Sequence, residues 1–440
     1  MNGYLVGDPK MRVCVFGIWH LGSVIAAGLA ARGHDVTGLE YDNNIVQSLK
    51  SGSAPVFEPG LDELLKTGLA QRHLSFTSSA KDALKDTEII WVTFDTPVDD
   101  DDRANACYVI DQVKSIIPYL GTSVLILLSS QLPSGSIQKL EVFAKESVPN
   151  KDLSFAYSPE NLRLGDALNV FLNPDRMIVG VRTSQDQRQL ENLLKPISNK
   201  IIWMSVESAE MTKHAINAFL GMSVAFANEI ASVCELVGAN AREVEQGLKT
   251  DKRIGPRAYL SPGSAFSGGT LARDLVFLDQ ITTKNRLNTP LLSSILMSND
   301  EHKKWVQRRL NEYFPSLLNK KIAIWGLTYK PDTNTLRRSL AIDLCNWLLD
   351  NKAQIFVHDP VVDELPEGWG KDVIICNSPE ETLSEADGLV ICTEWALYKK
   401  IRPELCLHSC SKFLVVDANC FVPQLAQLRA VQYQTVGNKG

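Results

Sequence analysis

The sequence predicts an α/β protein in which two doubly wound parallel-sheet domains flank a central helical segment. Short apolar runs rich in β-branched residues alternate with helical patterns over residues 1–200, and the same alternation returns near residue 320. Between them, the stretch from Ser208 to about Leu248 is helical throughout. At 440 residues the chain is too long for one compact core. We expect three domains, at 1–205, 206–300 and 301–440.

The first βαβ unit is predicted at residues 12–42. The apolar run RVCVFG is followed by a glycine turn, by the helical pattern SVIAAGLAARG that ends at Gly33, and by the strand DVTGLEYD. Later strand-like runs are EIIWVTFDTP, SVLILLSSQLP and DRMIVGVR. Strands joined by helices form parallel sheets, so this region predicts a doubly wound domain.

The rest of the chain predicts a helical segment followed by a smaller α/β domain. The central helical pattern is rich in small residues and should break at Gly238. The strand KIAIWG, the helix SLAIDLCNWLLDN and the strands QIFVHDP, GLVICT and FLVVDA then follow in order. This sequence of elements again predicts a parallel sheet.

The composition favours small-molecule partners over nucleic acid. The formal charge is −6 and the isoelectric point is near 5.7, which argues against a basic nucleic-acid surface. We find no signal-peptide pattern at the N-terminus and no run of about 18 uninterrupted apolar residues, so we expect a cytoplasmic protein without a membrane partner. The nine cysteines show no paired metal-ligand spacing, and we expect no metal site.

The turn Gly17-Ile18-Trp19-His20-Leu21-Gly22 lies where Rossmann-type domains bind dinucleotide phosphates at a helix N-terminus. Glu40 ends the next strand, where a carboxylate can accept both ribose hydroxyls of NAD and repels the 2′-phosphate of NADP. The turn therefore predicts NAD. Trp19 stands at the second glycine position, which an indole can occupy only if φ suits an L-residue and the ring points away. The alternative is a structural turn that no longer binds a nucleotide.

Lys213 and Asn217 are four residues apart on the central helix and share one face. A lysine beside an asparagine in an interior suits a proton relay or the stabilisation of an oxyanion. A single lysine on a helix, however, is most often a solvated residue.

From about residue 11 to residue 425 the chain resembles the UDP-glucose/GDP-mannose dehydrogenase family. The matching motifs, in chain order, are EPGL at Glu58–Leu61, TP at Thr96–Pro97, PE-x-L at Pro159–Leu162, AE-x-x-K-x-x-x-N at Ala209–Asn217, NEI at Asn228–Ile230, RIGP at Arg253–Pro256, and KPDT at Lys330–Thr333 with Arg337 after it.

This resemblance implies an N-terminal Rossmann-type NAD-binding domain, a central helical dimerisation segment and a C-terminal nucleotide-sugar-binding domain. It also implies a homodimer that oxidises the C6 alcohol of a UDP-hexose. The implied catalytic residues are Lys213, Asn217 and Asp274, with Glu160 supporting the acid and base steps. The implied cofactor contacts are Gly17, Trp19, Leu21, Gly22, Glu40, Thr96, Gln131 and Arg337. The implied substrate contacts are Arg253, Phe266, Gly268 and Lys330.

The loop AFSGGTLARD departs from the family pattern F-G-G-S-C-[FL]-P-K-D. When Phe266 and Asp274 are aligned, Thr270 occupies the position of the cysteine that captures the C6 aldehyde as a thiohemiacetal. A threonine hydroxyl is a much weaker nucleophile unless it is activated. We therefore expect the full four-electron oxidation to be slow or absent. Lesser departures are Leu164 at a second glutamate, Gln131 at a threonine and Arg273 at a lysine.

Two functions remain open at this point. The first is an NAD-dependent nucleotide-sugar oxidoreductase that stops at the aldehyde, oxidises the hydrated aldehyde slowly, or oxidises transiently during an epimerisation. The second, motivated by Trp19, is an inactive nucleotide-sugar-binding homologue that acts as a partner or regulator. A relative of 6-phosphogluconate or 3-hydroxyacid dehydrogenases would explain neither the second α/β domain nor the KPDT motif.

Overall fold

A computed structural model of the chain describes residues 10–97, 104–160, 162, 164–267, 269–402 and 413–438. The chain forms two compact units, Met1–Ala215 and Ile216–Gly440. The boundary between them falls within one long helix, α9 (Val206–Val237).

The first unit contains an eight-stranded sheet with the order β3-β2-β1-β4-β5-β6-β7-β8, in which β6 and β7 pair antiparallel and the other neighbours are parallel. The strands are β1 (Arg12–Phe16), β2 (Asp35–Leu39), β3 (Leu74–Thr77), β4 (Ile89–Val92), β5 (Ser123–Leu128), β6 (Asp152–Tyr157), β7 (Met177–Gly180) and β8 (Ile201–Met204). The central strands are almost entirely apolar because helices cover both faces of the sheet.

The helices of the first unit are α1 (His20–Ala31), α2 (Asn43–Lys50), α3 (Leu61–Ala70), α4 (Ala80–Ala83), α5 (Ala106–Ile116), α6 (Ser136–Ser147), α7 (Ala167–Leu172) and α8 (Ser184–Leu194), with a 3₁₀ turn at Ile117–Tyr119. The predicted first βαβ unit is confirmed, although α1 begins three residues before the predicted start at Ser23. Residues of α1 contribute much of the core of this unit, because nearly all of the helix is buried.

The second unit contains a six-stranded parallel sheet with the order β11-β10-β9-β12-β13-β14. Its strands are β9 (Lys321–Trp325), β10 (Gln354–His358), β11 (Val373–Ile375), β12 (Gly388–Ile391), β13 (Phe413–Asp417) and β14 (Val431–Gln434). Its helices are α10 (Ala241–Thr250), α11 (Gly269–Lys284), α12 (Pro290–Lys303), α13 (Trp305–Tyr313), α14 (Leu340–Asp350) and α15 (Pro379–Leu383), with 3₁₀ turns at Ala396–Lys400 and Pro423–Gln427. As predicted, the long helix ends at Gly238, whose φ is +74°.

The two sheets repeat one topology. The order of the first six strands of the first sheet matches the whole of the second sheet, strand for strand. The turn after the first strand is also the same, since Gly17 N donates to Leu39 O at 3.1 Å and Gly326 N donates to His358 O at 2.8 Å. Both glycines have φ near +90°, a conformation that residues with a Cβ rarely adopt.

Each repeat also carries a carboxylate after its second strand. Glu40 accepts a hydrogen bond from Ile18 N at 3.0 Å, and Asp359 accepts one from Leu327 N at 2.7 Å. The two carboxylates differ in their surroundings, because Asp359 is buried and also accepts from the indole of Trp395 at 3.1 Å, whereas Glu40 is only half-buried.

Helix α9 is long and apolar enough to cross a membrane by length and composition alone. Several of its polar side chains are nevertheless buried and hydrogen-bonded within the protein. Glu210 accepts hydrogen bonds from Gly135 N and Ile137 N, and Asn228 accepts one from Gly263 N. These contacts are those of a core helix in a folded protein.

Candidate functional site

The predicted dinucleotide turn lies at the carboxyl end of β1 and leads into α1. Gly22 is required there by space, because a Cβ on this residue would lie 2.2 Å from the carbonyl oxygen of Gly17 and 2.8 Å from the hydroxyl of Thr93. Thr93 holds the same carbonyl by donating a hydrogen bond at 2.8 Å. The glycine therefore allows the helix to pack closely against the turn, as dinucleotide-binding turns require.

The backbone of Trp19 and the carboxylate of Glu40 are both compatible with the predicted dinucleotide turn. Trp19 has φ −106°, so an L-residue fits its backbone, and its side chain is 45% exposed. The carboxylate of Glu40 accepts hydrogen bonds from Ile18 N and from Asp42 N at 3.1 Å, which fixes it beside the turn. Leu21 is buried on α1 and belongs to the core.

Thr96 and Gln131 lie after β4 and β5, at the same edge of the sheet as the turn. The buried hydroxyl of Thr96 donates to the backbone oxygen of Gln131 at 2.6 Å, which ties the two strand ends together. Ligands of doubly wound sheets bind outside the carboxyl ends of their strands. The cofactor residues predicted in the first unit thus share one edge.

Glu160 follows β6, and Lys213 lies on α9. The ammonium of Lys213 donates to the backbone oxygen of Glu160 at 2.7 Å, and the carboxylate of Glu160 accepts from Leu162 N at 2.8 Å. Lys213 is only 6% exposed. A buried lysine is uncommon, so its charge must be compensated by acceptors such as this carbonyl.

Glu210, from the same AE-x-x-K motif, has a structural contact. Its buried carboxylate accepts from Gly135 N at 2.7 Å and Ile137 N at 3.1 Å at the start of α6. Burial raises the pKa of Glu210, although the two backbone hydrogen bonds oppose this shift. This glutamate satisfies backbone donors at a helix N-terminus.

In the second unit, Asn217 and Asp274 form a buried pair. The amide of Asn217 donates to Asp274 Oδ2, and the carboxylate is 0% exposed. Asp274 lies in α11, one turn after Thr270. Asn217 of α9 and Asp274, the last residue of the stretch AFSGGTLARD, are therefore in direct contact.

Thr270 is the second residue of α11 and is exposed. Gly268, a predicted substrate contact, lies outside the described residues. Phe266 precedes it and is held at both backbone groups by the side chain of Asn299, which accepts from Phe266 N at 2.9 Å and donates to Phe266 O at 2.9 Å. The loop before the helix is thus fixed by side chains from other elements.

A cavity of about 250 Å³ lies at the carboxyl ends of β9, β12 and β13. The strand-end residues that line it are Thr328, Tyr329 and Lys330 after β9, Thr393 and Glu394 after β12, and Asn419 after β13, and Ser264, Ala265 and Ser267 line it from the loop before α11. This edge corresponds to the one that carries the dinucleotide turn in the first unit. Among the predicted substrate residues, Lys330 lines this cavity.

Arg253 and Arg337 are both exposed and outside this cavity. The guanidinium of Arg253 is held by an ion pair with Asp251 at 2.7 Å. That pairing raises the pKa of Arg253 and lowers that of Asp251. The side chain of Arg253 therefore lies at the surface, where an ion pair of this kind contributes little to stability.

Three residues that hold the loop before α11, at residues 263–266, were not predicted. Asn419 accepts from Ser264 N at 2.7 Å, and His302 donates from Nε2 to Gly263 O at 2.8 Å. Burial lowers the pKa of His302, so the ring is held in its neutral form. Asn299 is the third. The signal for Asn419 was present, because this residue follows the predicted strand FLVVDA, but nothing in the sequence marks Asn299 or His302.

Comparison with known proteins identifies a family for the whole chain. Three sequence models of the UDP-glucose/GDP-mannose dehydrogenase family match it: the NAD binding domain at residues 11–198, the central domain at 207–301 and the UDP binding domain at 323–424. The chain is 29% identical to the UDP-glucose 6-dehydrogenase of Pseudomonas aeruginosa, with 97% of each chain covered. It is 30% identical to that of Bacillus subtilis, with 98% of each covered.

A solved structure agrees with these matches. The UDP-glucose dehydrogenase of the hyperthermophilic archaeon Pyrobaculum islandicum superimposes with a TM-score of 0.87 at 26% identity, and the match covers 99% of this chain and 100% of that one.

Proposed function

Because the chain belongs to the UDP-glucose/GDP-mannose dehydrogenase family, we propose that it oxidises the C6 alcohol of a UDP-hexose with NAD and releases mainly the aldehyde. The observation that carries this proposal is the pair of buried polar residues on α9, Lys213 and Asn217, which are 6% and 5% exposed. Their burial rules out the reading of Lys213 as an ordinary solvated lysine.

The residues of the first unit fit NAD. We assign the diphosphate to the close turn at Gly17 and Gly22 and the adenosine ribose hydroxyls to the carboxylate of Glu40. The backbone at Trp19 does not require glycine. When bound, the nicotinamide accepts the hydride that the alcohol carbon loses.

The chain must itself accept the hydroxyl proton and stabilise the developing negative charge. A buried ammonium can stabilise an alkoxide, and a buried carboxylate can accept a proton. We assign the first role to Lys213, oriented by the carbonyl of Glu160, and the second to Asp274, oriented by Asn217. Lys330 at the cavity of the second unit supplies a cation for the diphosphate of the nucleotide sugar.

Thr270 limits the second oxidation. A hydroxyl at this position needs a base before it can attack the aldehyde, whereas a cysteine at a helix N-terminus is favoured as the thiolate. Thr270 lies in the first turn of α11. We therefore assign to this protein an alcohol-to-aldehyde step and propose that the cysteine-dependent step has been lost.

The test is to incubate the protein with NAD and UDP-glucose, measure NADH by absorbance and identify the sugar product. We expect one NADH for each sugar and an aldehyde that hydroxylamine traps. Thr270→Cys should yield two NADH for each sugar and the uronic acid. If the wild-type protein forms no NADH and exchanges no deuterium at C6, the proposal is refuted.

A second function is favoured by Trp19 alone. If the indole blocks the diphosphate, the protein would bind the nucleotide sugar without oxidising it and act as a partner or regulator. Calorimetry separates the two functions. Tight NAD binding excludes the inactive homologue, and UDP-sugar binding without NAD binding supports it.

We further propose a homodimer formed through α9. Phe219, Phe226 and Val233 are exposed and recur every seven residues, so they lie on one face of the helix. Exposed apolar stripes of this kind mark protein interfaces, and the exposed Arg253 is available to a second copy. Phe226→Glu should convert a dimer to a monomer in size-exclusion chromatography with light scattering, and a wild-type monomer would refute this.

We also propose three domains, at 1–205, 206–300 and 301–440, and a cytoplasmic location.

A further inference from the structure

Glu58 is a buried carboxylate of the first unit that joins two parts of the proposed site. It is 4% exposed and lies in the loop between α2 and α3. One of its oxygens, Oε2, lies 2.8 Å from Nε2 of His20 and accepts from Gly165 N at 2.8 Å. The other, Oε1, accepts from Ala167 N at 2.8 Å.

The two groups of donors belong to different functional segments. His20 is the first residue of α1 and part of the dinucleotide turn. Gly165 and Ala167 lie between Glu160 and the body of α7, in a stretch that the structure describes at Glu160, at Leu162 and from Leu164 onward. We call these described residues the Glu160 segment. Glu58 therefore connects the turn and the Glu160 segment.

Helix α7 is fixed to α1 at its other end as well. The ring of Phe171 packs so closely on Gly28 that a Cβ there would lie 2.5 Å from the ring, and the guanidinium of Arg32 donates to Leu172 O at 3.0 Å. Helix α7 is therefore held at its first residue through Glu58 and at its last residue through Arg32.

The charge of Glu58 supports this arrangement. Burial alone would raise the pKa of Glu58, but the hydrogen bonds from His20 and from the two backbone amides outweigh burial and leave its pKa below the ordinary value. The group is thus held as a carboxylate, which is the form that can accept from all three donors at once.

We propose that Glu58 is a positioning residue that sets the Glu160 segment, and with it Lys213, relative to the dinucleotide turn, so that NAD bound at the turn orders this segment. This inference rests on the proposed function. Glu58 acts through His20 on one side and through Gly165 and Ala167 on the other, and it need not touch either ligand.

The experiment measures amide hydrogen exchange by mass spectrometry in the peptide that contains Gly165 and Ala167, with and without saturating NAD. In the wild-type protein we expect NAD to slow this exchange. His20→Phe removes the donor to Glu58 and should abolish the slowing even at saturation. His20→Gln restores an N–H donor and should recover it.

Kinetics provide the second readout. Glu58→Gln keeps the size of the side chain but places an amide nitrogen against a backbone N–H, so we expect kcat to fall about 10- to 100-fold, the effect of a small displacement at a reacting centre. The KM for the UDP-sugar should change much less. Glu63→Gln, which alters an exposed carboxylate in the first turn of α3, is the matched control and should behave as the wild type.

The outcomes separate the two proposals. If NAD binds but no NADH forms, the proposed oxidation fails, and the exchange comparison still tests Glu58 because it needs no turnover. If His20→Phe and His20→Gln show equal NAD-dependent slowing, the positioning role is refuted while the oxidation stands. A wild-type protein that does not bind NAD refutes both.

Discussion

Replacement of Gly22 by alanine tests whether the close approach of α1 to its turn is needed for NAD binding. The new Cβ would lie 2.2 Å from the carbonyl oxygen of Gly17. This distance is 0.8 Å less than the 3.0 Å below which real Cβ contacts essentially never fall. This oxygen is part of the backbone and is held by Thr93, so it cannot rotate away. The helix or the turn must move.

The size of the effect follows from two opposing contributions. Overpacking a tight site costs about 1–3 kcal/mol, and a backbone contact of this kind belongs at the upper end. Alanine regains about 1 kcal/mol of helix propensity over glycine. The net loss is about 2 kcal/mol. For a unit of this size, it corresponds to a melting temperature lower by roughly 4–8 °C.

The assay combines thermal denaturation with calorimetry of NAD binding. We expect Gly22→Ala to bind NAD at least about tenfold more weakly, equivalent to about 1.4 kcal/mol. Gly247→Ala in α10 is the control, because no atom lies within 4 Å of its new Cβ, and this change should stabilise the protein by about 1 kcal/mol. If both variants gain stability and bind NAD like the wild type, the steric reasoning about the turn is wrong.

Three further predictions follow from single contacts. Glu40→Ala should weaken NAD binding and reduce the preference for NAD over NADP by about tenfold or more, since the carboxylate that repels a 2′-phosphate is gone. Titrations with both dinucleotides measure this preference. An unchanged ratio of the two dissociation constants would contradict the prediction. Asn217→Ala should lower the free energy of unfolding by about 1.5–3 kcal/mol in urea, because the buried Asp274 carboxylate loses a donor; a loss below about 0.5 kcal/mol would show that the pair is not stabilising. Burial alone would raise the pKa of Glu58, but the hydrogen bonds from His20 and from two backbone amides lower it below the ordinary value of 4.5. The ionised carboxylate therefore stabilises the fold fully above pH 4.5, and this stabilisation is lost as the pH falls through the lowered pKa. Between pH 5 and pH 3 the melting temperature of Glu58→Gln should therefore fall less than that of the wild type. An equal fall in the two proteins would refute this.

The alternation of strand and helix was readable from the sequence because the central strands are buried on both faces and are continuously apolar. The edge strands were missed, and so was the inner strand β6. β3 alternates buried and exposed residues, and β8 has no fully buried residue, as expected of strands at the edges of a sheet. Such short mixed runs do not differ from loops in a single sequence.

The candidate site was predictable where function depends on position along a strand or helix. Gly17, Glu40 and Lys213 could be identified from spacing and from family motifs. Contacts between distant residues could not be identified in this way. Glu58 lies 107 residues before its partner Gly165, and Asn419 lies 155 residues after its partner Ser264. Only the folded chain reveals that these side chains hold the dinucleotide turn and the loop before α11.

The repeated topology shows that an acidic residue after the second strand does not by itself specify a nucleotide ribose. In the second unit, Asp359 Oδ2 is engaged by the backbone and hydroxyl of Thr328, by Leu327 and by the Trp395 indole, so its lone pairs are already occupied. Glu40 keeps an accessible carboxylate at the matching position. One scaffold thus occurs twice in a single polypeptide, once with a partly exposed carboxylate and once with a buried carboxylate that braces its own loop.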